Sequence, residues 1–175
     1  MTQELNHILA RLFNLQVGGF TYTHKLTGAQ IGVTSATYSS GVTLGTTAPI
    51  SCELLRGQTG TGVLQSIVIQ DLSKQNGAID VLFFDSNPSS TIFTDNAALD
   101  IDDADLPKLI GSISITSSDY ASYADNSVAT KSNLGLTLKS LNTSAQSKIW
   151  VALVSRDTKT YVANEVSIAI GILQD

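Results

Sequence analysis

The chain has 175 residues, of which 42 % are hydrophobic and only 14 % are charged, against a typical charged share of about 25 %. Its 10 basic and 15 acidic residues give a formal net charge of −5. The basic residues are scattered, and nucleic-acid binding needs them clustered, so we expect no direct contact with DNA or RNA. Cys52 is the only cysteine, which excludes an intrachain disulfide and a cysteine-based metal site. No apolar run approaches the ~20 residues of a membrane span, and no secretory signal pattern is present, so we expect a protein made in the cytoplasm without a membrane partner.

Residues 1–19 are predicted to form a separate helical arm. Its apolar residues recur at the three-and-four spacing of one helical face, and Gly18-Gly19 ends the element. A lone helix of this length is marginal in water. The apolar stripe must therefore dock on its own β domain or on another subunit. Its members, which are our interface candidates, are Leu5, Ile8, Leu9 and Leu12.

Residues 20–175 are predicted to form a single β domain. The segments 63–72 and 79–84 are continuous apolar or β-branched runs, as expected of strands buried on both faces. Asn76-Gly77 between them is a hairpin signal. Further on, apolar and polar residues alternate around Ile113 and around Leu136. About eight to ten short strands at this spacing predict an all-β sandwich or barrel, with a jelly roll as the leading form.

One short internal helix is predicted from Ala104 to Ile110. Asp102 or Asp103 can cap it, and Pro107 lies within its first turn, where proline is tolerated.

The sequence lacks the usual catalytic motifs. The glycines at positions 57, 60 and 62 are not followed by the Lys-Ser/Thr pair of a phosphate-binding loop. There is no Gly-x-Ser-x-Gly elbow. The two histidines, His7 and His24, have no motif around them. We therefore predict no catalytic residues, no cofactor and no enzymatic activity.

An acidic segment is the one candidate for metal binding. Carboxylates in close succession can gather around Ca²⁺, which takes six to eight oxygen ligands. The segment lacks the glycine and the terminal glutamate of a helix–loop–helix site, so we favour a solvated loop that also caps the following helix. The candidate ligands are Asp100, Asp102, Asp103 and Asp105.

Three stretches of the chain resemble a known family. The first stretch is Gly62-Val63-Leu64-Gln65-Ser66. The second runs from Asp80-Val81-Leu82-Phe83-Phe84-Asp85-Ser86-Asn87-Pro88 through Thr91-Ile92-Phe93-Thr94-Asp95-Asn96-Ala97-Ala98-Leu99. The third comprises Trp150-Val151-Ala152-Leu153-Val154-Ser155-Arg156 and the final Gly171-Ile172-Leu173-Gln174-Asp175. This pattern is similar to that of small structural proteins of tailed bacteriophages and prophages, found among the genes for the particle's head. The resemblance covers roughly residues 38 to 175.

The resemblance implies a structural role in the virus particle. The specific expectation is a capsid cement, or decoration, protein that binds the head surface and bridges subunits of the major capsid protein. It would be made in the cytoplasm of the bacterial host and would form a homo-oligomer, either a dimer or a trimer. Two alternatives remain open: another virion part, such as a neck, tail or head-fibre protein, and a carbohydrate-binding β-sandwich module, whose glycan binding could depend on calcium.

Overall fold

The computed structural model describes residues 20–57, 59–141 and 147–174. The predicted arm therefore lies outside the described residues. Most of the described chain is strand, and every strand pairing is antiparallel. The strands are β1 (Phe20–Leu26), β2 (Ala36–Tyr38), β3 (Ile50–Leu55), β4 (Thr61–Asp71), β5 (Ile79–Phe84), β6 (Leu109–Ile115), β7 (Tyr120–Ser122), β8 (Ser127–Lys139), β9 (Ser147–Ser155), β10 (Lys159–Tyr161) and β11 (Val166–Gln174). Within the described ranges, helical structure is limited to one helical turn, α1 (Gly28–Ile31), and two 3-10 turns, Leu106–Lys108 and Ser117–Asp119.

The strands form two stacked sheets and one small ribbon. The larger sheet has the order β1-β11-β4-β8-β7, the second has the order β3-β9-β5-β6, and β10 pairs with β2. Along the chain, the long strands alternate between the two large sheets, except that β5 and β6 are neighbours in one sheet. This winding is that of a jelly roll, in which two Greek keys close on each other. The all-β class and the jelly-roll form predicted from the sequence are confirmed.

The main hydrophobic core lies between the two sheets. In β11 and β4, buried side chains alternate with half-buried ones, so one face of each strand points into the core. The side chains at the centre of this core include Leu64, Ile67, Ile69, Val81, Phe83, Ile149, Val151, Ile168, Ile170 and Ile172.

A second, smaller core lies on the outer side of the second sheet. Every residue of β5 is buried, because its outward side chains Leu82 and Phe84 are covered as well as its inward ones. The cover includes residues 85–105, which we call the covering loop, and Phe93 of this loop meets the Phe84 ring edge-on with centroids 6.2 Å apart. Burial on both faces was predicted for this strand and for β4. The prediction is confirmed for β5 and wrong for β4, whose outward side chains are half-buried or exposed.

The hairpin predicted at Asn76-Gly77 is wrong. The strands on either side of it belong to different sheets, since β4 pairs with β11 and β8 whereas β5 pairs with β6 and β9. The segment is instead a crossover turn, which Asp71 holds by accepting hydrogen bonds from the backbone amides of Ser73 and Asn76. A Cβ at position 77 would collide with the hydroxyl of Tyr161, so glycine is required there by packing.

The internal helix is shorter than predicted. Only Leu106–Lys108 is helical, as a 3-10 turn, and the rest of the predicted stretch, from Leu109 onward, belongs to β6 and pairs with β5. Asp105 occupies the cap position without a capping side-chain bond, because its carboxylate is used elsewhere. Within the described residues, no helix has the length and apolar character needed to cross a membrane.

Removing the Phe84 ring tests the second core. We expect Phe84→Ala to lower the free energy of unfolding by about 3–5 kcal/mol, because the ring is fully buried and leaves a cavity. The control is Ile92→Ala in the same loop, where the side chain is 79 % exposed and the loss should stay within about 0.5 kcal/mol. Chemical denaturation measures both. Equal losses would show that the covering loop does not seal a core.

Candidate functional site

The predicted interface residues precede β1 in the sequence. Leu5, Ile8, Leu9 and Leu12 all lie outside the described residues. The arm joins the fold at Phe20, where β1 begins as the edge strand of the larger sheet and pairs with Gln174.

The covering loop is fixed to the sandwich by the carboxylate of Asp95. Its Oδ1 accepts hydrogen bonds of 2.8 Å from the Tyr38 hydroxyl and from the backbone amide of Gly45. Its Oδ2 accepts a hydrogen bond of 2.8 Å from the Thr34 hydroxyl. Burial raises the pKa of Tyr38, so this hydroxyl stays protonated and remains a donor. The arrangement joins three separate chain segments and is structural in character.

Asp105 anchors the far end of the same loop. Its Oδ2 accepts bonds from the backbone amides of Ser90 and Thr91, at 2.8 and 2.6 Å, and from the Thr91 hydroxyl at 2.8 Å. Its Oδ1 accepts a bond of 2.7 Å from Lys108 Nζ. Burial alone would raise the pKa of Asp105, but the bonds from Lys108, Thr91 and Ser90 outweigh it and lower the pKa to about 2.

The four candidate calcium ligands differ in their contacts. Asp105 holds the loop, and Asp102 accepts a bond of 2.8 Å from the backbone amide of Ala104. Asp100 and Asp102 line an open cleft of about 300 Å³ together with Ser90. Across residues 20–57, 59–141 and 147–174, no group of three or more His, Cys, Asp or Glu side chains is arranged to hold a metal ion. The calcium site stays a prediction from the sequence.

A groove runs between the edge strands β1 and β3, where the sandwich is open. It has a volume of about 470 Å³ and is lined by Tyr22, His24, Leu26, Gln30, Thr47, Ile50, Ser51 and Glu53. The Tyr22 ring is 40 % exposed and lies 6.2 Å from the His24 ring, centroid to centroid. Burial lowers the pKa of His24, and the nearby Glu53 carboxylate opposes that shift. Sequence reasoning missed this site, because only the stacking of the two sheets brings these strands together.

The sandwich has two ends, which we name after residues at their strand termini. At the Asp71 end, β4 and β9 finish and β8 and β11 begin; at the Asp85 end, β5, β8 and β11 finish. Among the described residues, most of the exposed large apolar side chains lie at these ends, and each one at an end is more than half exposed. They are Leu72, Tyr123 and Val162 at the Asp71 end, and Ile92, Leu106 and Leu141 at the Asp85 end.

Hydrogen bonds connect the chain segments that carry each set. At the Asp71 end, the Leu72 amide donates to the Glu165 carbonyl, and the Glu165 amide donates to that of Val162. The Lys74 ammonium, two residues from Leu72, donates to the Tyr123 carbonyl.

At the Asp85 end, the Leu141 amide donates to the Asp85 carbonyl. The bond from the Thr91 amide to Asp105 joins the segments that carry Ile92 and Leu106. Single apolar residues on a surface need no explanation, but grouped ones mark contact sites.

Comparison with known proteins gives only distant likenesses. No protein-family model and no curated protein sequence matches the chain. Two solved structures of turnip yellow mosaic virus, one of them determined at 100 K, are 9 % and 8 % identical to it. Each alignment covers 90 % of this chain and 94 % of the viral one, with a TM-score of 0.29. At so low a TM-score, the likeness carries no argument about function.

The bonds to Asp105 predict a pH dependence of stability. A carboxyl group whose pKa is lowered to about 2 in the folded protein and is ~3.9 in the unfolded chain stabilises the fold above pH ~4. That contribution is lost as the pH falls towards 2. We therefore expect Asp105→Asn to lower the melting temperature at pH 6, and the difference from the unaltered protein to shrink between pH 4 and about 2.

The matched control for this experiment is Asp103→Asn, an exposed carboxylate in the same segment. It should leave the melting temperature and its pH profile close to those of the unaltered protein. A constant difference between Asp105→Asn and the unaltered protein from pH 6 to pH 2 would contradict the assigned ionic anchor.

Proposed function

We propose that this chain is a non-catalytic structural protein of a bacteriophage particle, and specifically a capsid cement protein. In this role it binds the outer surface of the head and bridges neighbouring subunits of the major capsid protein. The partners are the major capsid protein and further copies of this chain, as a dimer or trimer. The protein is made in the host cytoplasm and ends on the particle surface.

The observation that carries the proposal is the pair of exposed apolar groups at opposite ends of the sandwich. A bridging protein needs two separate contact surfaces, one for each neighbour. The 11 residues of β4 run from the Asp85 end to the Asp71 end, which corresponds to roughly 35 Å of strand. Two apolar contacts at this separation fit a bridge between neighbours better than a single binding site.

Bridging also provides the physical reason why a cement protein strengthens a shell. A protein that contacts two subunits at once binds the assembled shell better than the separated subunits. By linkage, it stabilises the state that it binds, by an amount that grows with its concentration relative to the dissociation constant. The rigid β framework suits this use, since both contact groups are set by strand ends and by a loop with carboxylate anchors.

A neck, tail or head-fibre protein would need the same kind of contacts. The location of the protein in the particle separates these alternatives from a cement protein. Labelled protein that decorates the whole head surface supports the cement role, whereas label at one vertex or along the tail would assign it to another part of the virion.

Charge placed at either end tests the bridge. We expect Tyr123→Asp, at the Asp71 end, and Ile92→Asp, at the Asp85 end, each to weaken binding to empty heads by about tenfold or more, because each buries a charge in an apolar contact. Ser112→Asp is the control, since Ser112 is exposed on β6 between the two ends. Co-sedimentation with heads measures all three. If only one of the two substitutions weakens binding to heads, the protein makes a single contact. If neither weakens it, the proposed bridging role is wrong.

The groove between β1 and β3 favours a second candidate, a carbohydrate-binding module. It combines a partly exposed tyrosine ring with carboxylate, imidazole and hydroxyl groups, which is the mixture of apolar face and polar groups that small-ligand sites use. This function predicts signals on a glycan array that Tyr22→Ala abolishes. An array that is blank both with and without added calcium would exclude it.

A further inference from the structure

The edges of the two sheets differ in how well they can accept another strand. Among the described residues, the edge strands are β1 and β7 in the larger sheet and β3 and β6 in the second sheet. β7 has only three residues, the register of β3 shifts between Cys52 and Leu55, and that of β6 shifts beside Phe84. Short and irregular edges are the means by which proteins avoid pairing with other chains. These three edges are therefore poor sites for strand addition.

The part of β8 that extends beyond β7 is interrupted as well. Residues 133–135 stand opposite the single residue Gln65 of β4, and Asn133 and Gly135 have positive φ. A bulge of this kind bends the strand and breaks the line of its outward amides and carbonyls.

β1 is the exception among these edges. Its seven residues, Phe20–Leu26, pair with β11 in an unbroken register. Within residues 20–57, 59–141 and 147–174, its backbone forms hydrogen bonds with no other strand. A regular edge of this kind is a site for the addition of an extended strand, because only a strand has amides and carbonyls at the same spacing.

The sequence of β1 is compatible with pairing to a second copy of itself. In an antiparallel pair centred on Thr23, this residue lies opposite its own copy. Tyr22 then lies opposite the partner's His24, on the same side of the sheet. Threonine pairs and pairs of ring side chains are among the contacts that stabilise neighbouring strands.

The charges of β1 also allow this pairing. Lys25 is its one charged residue at neutral pH, and it lies opposite the partner's Thr21. The two copies of Lys25 are four residues apart along the pair, or ~13 Å, which exceeds the Debye length of ~8 Å at physiological ionic strength. Burial lowers the pKa of His24, so the ring beside the partner's Tyr22 is uncharged.

We propose that two copies of this chain form a two-fold dimer by antiparallel pairing of β1 with β1 about Thr23. The pairing joins two five-stranded sheets into one continuous sheet. A dimer follows rather than a trimer, because each copy uses the same strand and the contact closes on itself. The proposal specifies the self-association that is part of the proposed function, and its test uses the purified protein alone. A dimer that does not bind heads would leave it intact, whereas heads bound by a protein that does not pair would contradict it alone.

Charges placed at the two-fold axis test the pairing. Thr23 is exposed, so Thr23→Lys and Thr23→Glu should each fold with stability close to that of the unaltered protein. Each variant puts two like charges directly opposite one another in the pair, and we expect the dissociation constant of the dimer to rise about tenfold or more. An equal mixture of the two variants puts an ammonium group opposite a carboxylate and should restore dimers. Sedimentation equilibrium over a dilution series measures each sample.

The control is Ser132→Lys, an exposed position in the same row of the larger sheet as Thr23 but on β8. It should leave the dissociation constant unchanged. A monomer mass for the unaltered protein at every concentration up to about 1 mM would overturn the proposal. So would a dimer that neither substitution at Thr23 weakens, or a mixture of the two variants that stays dissociated.

Amide hydrogen exchange locates the interface. In the unaltered protein, the outward amides of β1 should exchange about tenfold or more slowly in a concentrated sample than in a dilute one, because the dimer covers them. In Thr23→Lys this dependence on concentration should be lost, while slow exchange in β5 reports that the variant is folded. Slow exchange in β1 at every concentration, in Thr23→Lys as well as in the unaltered protein, would overturn the proposal, because the edge would then be covered within one chain.

Discussion

The complete burial of β5 is the constraint on which much of this structure depends. A strand with apolar side chains on both faces requires a layer on each side, and the two layers here are of different kinds. The inner side chains of β5, Val81 and Phe83, pack against the larger sheet. Its outer side chains, Leu82 and Phe84, are covered by a loop without regular structure. A loop can seal a core only if its own backbone is held in place.

Two carboxylates hold the covering loop. Asp95 joins it to the segments around Tyr38 and Gly45, and Asp105 closes it on Thr91 and Lys108. Each carboxylate accepts several hydrogen bonds from donors with fixed positions, so it orders the loop without a regular element. Acidic residues that invite interpretation as a metal or catalytic site are thus used here to build the surface next to the second core. The same anchoring fixes the segments that carry Ile92 and Leu106 at the Asp85 end.

Periodicity was enough to predict the class of fold and the burial of β5. It was not enough for β4, whose apolar run also predicted burial on both faces although its outward side chains are half-buried or exposed. The unbroken apolar run of β5 indicated burial on both faces, and the number and spacing of strands indicated a jelly roll; both are confirmed. The pairing of strands was harder to predict. Asn76-Gly77 is a local signal for a tight turn, but a turn of this kind also fits a crossover between sheets, and the choice depends on which strands lie beside β4 and β5.

Other features could not be predicted because they depend on contacts between distant segments. The helix expected around Pro107 is cut to one turn, since Leu109 pairs with Phe84 and extends β6. The groove at Tyr22 and Glu53 exists only where two edge strands face each other, and neither strand carries a recognisable motif. The apolar side chains at the ends belong to turns that are far apart in the sequence, so their grouping appears only in three dimensions.

The role that we propose for the protein is to bridge neighbours in an assembled shell. Its most direct test is to compare the binding of the unaltered protein to empty heads and to unassembled major capsid subunits at the same subunit concentration. We expect saturable binding to heads, much weaker binding to free subunits, and heads that withstand higher temperature when the protein is bound. Equal affinity for heads and for free subunits, or no binding to heads, would contradict it.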